Sequence, residues 1–153
     1  MIAIEVENLT ELDRDLDKFT RNVGSETQRT LGEVGRFVEA EQKRRSPISP
    51  TKAQSAGKGY HYDPKKSPGE LQNSIDARTG KGFVDVGVLH GNATTYAAKM
   101  NYGKYKLGPG SVAKKTGVTV GRLFIERGYD ENAREVDKMF QRGVNIMVDR
   151  FNE

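Results

Sequence analysis

The chain has no cysteine among its 153 residues and only two histidines, His61 and His90. The first absence removes disulfides, thiolate zinc sites and a cysteine nucleophile. The second leaves two imidazoles 29 residues apart, too few for a histidine-built metal site. Long apolar runs are missing as well, since none approaches the ~20 residues that span a bilayer. The opening MIAIEVENL has no basic start, no apolar stretch of signal-peptide length and no small-residue cleavage site. A protein made in the cytoplasm, not secreted and free of cofactors, is the expectation. Apolar residues make up only 35% of the chain against 30% charged, and the mean hydropathy is −0.72. That composition supplies a modest core and a large wet or partner-facing surface. One domain covering residues 1–153 fits this length.

Charge is what the chain has in quantity, and its net value of +4 conceals an uneven distribution. Residues 1–42 carry 5 basic and 10 acidic side chains, residues 43–127 carry 16 and 5, and residues 128–153 carry 4 and 6. The segments are therefore −5, +11 and −2. Positions 57 to 128 also hold 13 of the 17 glycines, and all five prolines lie between 47 and 109. Basic charge and loop-forming residues coincide. A positive surface of this kind attracts nucleic-acid phosphates or acidic proteins by the same Coulomb interaction. Its separation from acidic helices also suits subunits that meet head to tail, which generates a ring or a filament.

Periodicity orders the elements. Ile2, Ile4 and Val6 alternate as a short strand does. Asn8 and Glu11 have capping-box spacing. Leu9, Leu12, Leu16, Phe19, Val23, Leu31, Val34, Phe37 and Val38 then recur every three or four residues, predicting an amphipathic helix to Lys43 that Pro47 and Pro50 end. Gly24, Gly32 and Gly35 weaken it, and a break is allowed at Asn22–Ser25. Residues 46–69, rich in Pro, Gly and Lys, read as an arm. Leu71–Ala77 and Phe83–Leu89 read as two strands joined by a turn at Thr79–Gly82, Thr95–Tyr102 as a short helix closed by Gly103, and Val118–Glu126 as a further strand. Asp130 is the expected N-cap of a last helix whose face is Val136, Met139, Phe140, Val144, Met147, Val148 and Phe151. The resulting fold class is α+β, a small antiparallel or mixed sheet packed by a long N-terminal helix and a C-terminal helix, with a long basic loop or arm.

Motifs for catalysis are weak against their alternatives. Lys114-Lys115-Thr116 resembles the end of a phosphate-binding loop, but that alignment puts Pro109 and Lys114 at the positions that require glycine. Gly108-Pro109-Gly110 fits a dinucleotide fingerprint without the preceding strand or the following helix. Carboxylate pairs such as Glu39/Glu41 and Asp13/Asp17 sit on charged helix faces, and no serine has nucleophile-elbow context. Asn8-Leu9-Thr10 and Asn92-Ala93-Thr94 match glycosylation acceptors but lack a secretion signal. Catalytic, metal and cofactor residues are thus expected to be none. Tyr60-His61-Tyr62, the densest aromatic cluster, suits an anchor in a protein pocket better than a base-stacking track, whose aromatics are spaced along the strand.

Several short motifs in order resemble one known family. A long amphipathic helix leads to Arg45-Ser46-Pro47-Ile48, followed by Ser67-Pro68-Gly69-Glu70-Leu71-Gln72-Asn73-Ser74-Ile75 and Val84-Asp85-Val86-Gly87-Val88. Next come Tyr96-Ala97-Ala98-Lys99-Met100-Asn101-Tyr102-Gly103 and Leu123-Phe124-Ile125 before a final helix. Over about residues 9 to 152 this resembles the bacteriophage tail-component family of head–tail joining (neck, tail completion) proteins of long-tailed phages. Residues 49–67 stand as an insertion relative to that pattern. Asn101 replaces an acidic residue, and Arg122 stands where a proline often precedes Phe124. The resemblance implies a non-enzymatic virion protein of the neck or tail that assembles with itself as a ring, commonly a hexamer. Its neighbours would be the connector or stopper and the tail tube or tail terminator, with DNA passing through without sequence readout and no membrane involved. Candidate subunit or partner contacts are then Tyr60, His61, Tyr62, Tyr96, Met100, Tyr102 and Phe124. Lys58, Lys65, Lys66, Lys104, Lys106, Lys114 and Lys115 are candidates for DNA or an acidic partner. A tail terminator or other minor tail protein is the nearest alternative, and a cytosolic non-specific nucleic-acid-binding protein is the alternative of another class.

Overall fold

A computed structural model describes residues 9–48, 69–103 and 121–151. The spine is α1, Leu9–Arg45, a single helix of 37 residues and about 55 Å at 1.5 Å per residue. Glu11 lies in its first turn and Lys43, Arg44 and Arg45 in its last, matching the helix dipole at both ends. No break occurs at Asn22–Ser25, because helical glycine costs only ~1 kcal/mol. At Gly35 the absence of a side chain is required: a Cβ there would lie 2.6 Å from Val84 Cγ2 and 3.2 Å from Ala77 Cβ. Ser46 finishes the helix, its Oγ donating to the Lys43 carbonyl at 2.9 Å.

The contact at Gly35 is with an antiparallel hairpin, β1 (Ile75–Gly80) and β2 (Phe83–Val88), paired from Ile75↔Val88 to Gly80↔Phe83. Its turn is the two residues Lys81-Gly82, with Gly82 at φ 81°, so Thr79 and Gly80 belong to the ladder and the expected four-residue turn is shorter. The expected strand from Leu71 is also corrected. Glu70–Asn73 forms one helical turn, α2, started by Gly69 at φ 82°. The turn buries Leu71, and the first residue of β1, Ile75, joins it in the core; four apart, the two would share a face in a strand as well, so their spacing does not separate the two forms. A 3-10 turn at Asn92–Thr95 then leads into α3, Ala97–Tyr102, in the place of the expected short helix.

Of the expected strand Val118–Glu126, the described residues 121–126 are not a strand. From Gly121 onward the chain turns through Leu123 at φ 55° into α4, Phe124–Asp130. Phe124 and Gly128, four apart, are its buried positions, and alternation within the preceding valines does not report that helical pair. Asp130 therefore ends α4 and does not cap the last helix. That helix, α5, spans Ala133–Phe151, and the Asn132 carbonyl accepts its first hydrogen bonds, from Glu135 N at 2.9 Å and Val136 N at 3.1 Å. Glu131 is held by Arg45 instead.

Helix α5 runs antiparallel to α1: Val136 packs with Val34 and Val38, Gly143 sits against Thr30, Arg150 reaches Glu26 and Phe151 meets Phe19. Two core clusters result, both beside the C-terminal half of α1. One joins Leu71, Ile75, Ala93, Ala97 and Phe124; the other joins Val34, Val38 and Val136, with Val86 and Met139 against them. The expected α+β class, a small antiparallel sheet packed together with a long first helix and a last helix, is the one observed. The expected strand at 2–6, most of the 46–69 arm and the loop at 104–115 lie outside the described residues.

Candidate functional site

Four chain ends converge at the C-terminus of α1. The chain leaves this end at Ile48 and returns at Gly69; it leaves again at Gly103 and returns at Gly121. Three hydrogen bonds hold the ends together. Gln72 Nε2 donates to the Lys43 carbonyl at 2.9 Å, Gly121 N to the Arg45 carbonyl at 2.9 Å, and Leu123 N to the Asn101 carbonyl at 2.9 Å. The last carbonyls of a helix have no partner within it, so α1 offers acceptors and the returning chain supplies donors. The two intervening stretches carry Lys52, Lys58, Lys65 and Lys66 against Asp63, and Lys104, Lys106, Lys114 and Lys115 with no acid. Their formal charges are +3 and +4, and both stretches issue from one end of the fold.

An ion-pair network braces this end. Arg45, nearly enclosed, pairs with Glu41 one turn earlier and with Glu131 from beyond α4 at 2.9 Å. Arg127 Nε meets the other oxygen of Glu131 at 2.7 Å, and Arg44 holds Glu41 at 2.5 Å. Burial opposes ionisation of Glu41, yet hydrogen bonds from Arg45 and Arg44 outweigh it and keep the carboxyl below its ordinary pKa. The Arg127 bond, aided by Arg45, does the same for Glu131 against its partial burial. Asn101 is a second brace. Its Nδ2 donates to Glu126 at 2.7 Å while its Oδ1 accepts from Ile125 N at 3.2 Å. An amide can make both bonds at once, one as donor and one as acceptor; an ionised carboxylate at this position could not donate to Glu126.

The residues singled out from sequence separate into three groups. Tyr96, Met100 and Phe124 come together in one core cluster. Phe124 has 0% exposure and offers no surface to a partner. Its place in the sequence, just before a helix, gives no sign of that enclosure. Tyr96 Oη donates to Glu70 at 3.0 Å, and burial, with Glu70 beside it, pushes the phenol up to about 12. Tyr102 stands exposed at the rim of the convergence, its pKa raised by a hydrogen bond to Glu126. Tyr60, His61, Tyr62, Lys58, Lys65, Lys66, Lys104, Lys106, Lys114 and Lys115 lie outside the described residues.

Sequence reasoning missed Arg45, Glu131 and Asn101, whose partners lie up to 86 positions away. Arg45 carried one usable signal, a cation at the end of a helix just before a proline. Among the described residues, no group of three or more His, Cys, Asp or Glu is placed to hold a metal ion. No described helix is long and apolar enough to cross a membrane. Glu41, Glu70, Glu126 and Glu131 at this end are engaged by arginine, asparagine or tyrosine. Compared with family models, curated proteins and solved structures, the chain matches none of them.

Proposed function

We propose that this chain is a structural protein of a tailed bacteriophage particle, a non-enzymatic subunit at the head–tail junction. In this role it forms a ring that joins the capsid connector to the tail and lets DNA pass. The observation that carries the proposal is the convergence at the end of α1, where both lysine-rich stretches begin and return. A ring built from such subunits gathers this charge into one repeated zone. Contacts from lysine to phosphate neutralise charge without reading bases, which suits DNA that must slide. The order of the family-like motifs along the chain gives further support: the Gly69–Ile75 motif enters β1, Val84–Val88 falls within β2, Tyr96–Gly103 contains α3, and Leu123–Ile125 starts α4.

The same charge favours a second reading, a non-specific nucleic-acid-binding protein of the cytosol. Electron microscopy of the purified chain and of particles containing it separates the two. Rings of uniform diameter, and density for the subunit between head and tail, are expected. Salt-dependent DNA binding by monomers, with no rings under any assembly condition, would favour the cytosolic role and reject the junction.

A further inference from the structure

Among the described residues, an exposed apolar surface runs along one side of α5 to the end of the molecule opposite the lysine-rich roots. At 100° per residue, Phe140, Val144, Val148 and Phe151 of α5 fall within an arc of about 80°, off to one side of the Val136–Gly143–Arg150 row that faces α1. Helix α1 in turn continues beyond its Phe19–Phe151 ring contact, made at 4.8 Å. Leu12 and Leu16 extend the stripe that elsewhere packs on α5. Between the helices lies a groove of about 380 Å³, floored by Leu12, Leu16, Phe19 and Phe151 and edged by Asp15, Lys18 and Arg150. The seven apolar residues of this tip are 37% to 63% exposed.

From this geometry we infer that the α1–α5 tip is a docking surface for a second copy of the same chain, the two tips meeting about a two-fold axis. Area supports the assignment. Taking about 150–200 Å² for each large apolar side chain, the exposed fraction amounts to roughly 600 Å² per copy. A pair then encloses about 1,200 Å² of apolar surface, the lower bound of a standard specific interface before any polar rim is counted. Charge supports it as well. The groove edge holds both signs, Asp15 with Lys18 and Arg150, and a two-fold contact sets a patch against itself, so only a surface with both signs is self-complementary. A uniformly acidic or basic edge would repel its own copy.

This pairing does not depend on the virion role. The absence of cysteine from the chain means that a single introduced thiol can form a disulfide only between copies. Val148→Cys is expected to yield a covalent dimer under mild oxidation at micromolar concentration. Arg142→Cys, exposed and about 160° around α5 from the centre of that arc, is expected to stay monomeric on the same gel. In sedimentation velocity the native chain should associate with concentration, and Leu16→Lys combined with Val148→Lys should weaken that association at least tenfold while circular dichroism and urea midpoint stay unchanged. A native chain that remains monomeric to tens of micromolar overturns the inference, as does an association indifferent to the two lysines. Rings that form from a chain with no tip-dependent dimer would count against this surface alone; a tip-dependent dimer without rings would count against the junction role alone.

Discussion

Along α1 the apolar repeat is continuous, but its cover is not. Leu31, Val34 and Val38 in the C-terminal half are enclosed by the hairpin and α5, while Leu12 and Leu16, on the same helix with the same spacing, stand half exposed. An amphipathic repeat fixes which way a helix faces; what covers that face depends on how far the rest of the chain reaches. Here the hairpin extends along α1 only to about Gln28, whose Nε2 donates to the Gly80 carbonyl at 3.0 Å. Among the described residues helix α5 ends at Phe151, whose ring meets Phe19. Among the described residues the inner half is therefore the folded body, and the outer half carries an exposed apolar edge.

The contrast can be broken most sharply in the core. Phe124→Ala should cost about 3–5 kcal/mol in urea denaturation, since the ring is fully enclosed and its removal leaves a cavity. Leu31→Ala should cost about 2–5 kcal/mol, while Leu16→Ala, chemically identical and on the same helix, should change the monomer by less than about 0.5 kcal/mol. Equal losses at 16 and 31 would mean that the outer half is covered in the free protein.

Next in size is the α1–α5 crossing. A Cβ at Gly143 would fall 2.3 Å from Thr30 Oγ1 and 3.0 Å from its Cγ2, so Gly143→Ala should lose about 1–3 kcal/mol despite its better helix propensity. Thr30→Ala in the same chain should restore part of that loss, because it removes both close atoms. Unchanged stability of the single Gly143→Ala variant would show that the two helices sit farther apart.

A smaller, graded loss is expected on acidification. Hydrogen bonding from Arg29, against an opposing effect of burial, holds Glu26 below its ordinary pKa, and Glu41, Glu126 and Glu131 are lowered as well. Groups with depressed folded values contribute stability that is complete above the unfolded carboxyl pKa, about 4.3 for glutamate. That contribution disappears as pH falls through the lower folded values. Urea midpoints should thus hold between pH 7 and 5 and drop toward pH 3, and Glu26→Gln should flatten part of the drop.

The smallest effect has the opposite sign. Gly24 lies in the helix, and a Cβ added there would meet nothing within 4 Å, so Gly24→Ala should raise stability by about 0.5–1 kcal/mol. A loss at this position would reveal an unrecognised neighbour on the outer half.

These two regions also divide what could be read from sequence. The span of α1 was legible because nine apolar positions keep helical spacing until Pro47, and the hairpin because Phe83–Val88 is rich in strand formers. Leu71–Ile75 was not, since its two apolar residues, four apart, share a face in a strand and in a helical turn alike. The start of α4 escaped because it depends on a left-handed Leu123, a conformation rare outside glycine. The site was less legible than the fold: the Arg45–Glu131 pair and the enclosure of Phe124 are long-range outcomes, and no local pattern encodes them. The exposed tip reads as core face in the sequence for the same reason, because its residues have the right spacing and are only partly covered by the described residues.

The hydrogen bond from Gly121 N to the Arg45 carbonyl has a consequence for variation. Because the body itself holds the residues on either side of 49–68 and 104–120, a change in the length of either stretch leaves those anchors in place. Loop-closure entropy rises only logarithmically, by about 0.6 kcal/mol per doubling of length. Insertions and deletions between those anchors should therefore leave the end of α1 unchanged, so the sequence can diverge between fixed chain ends.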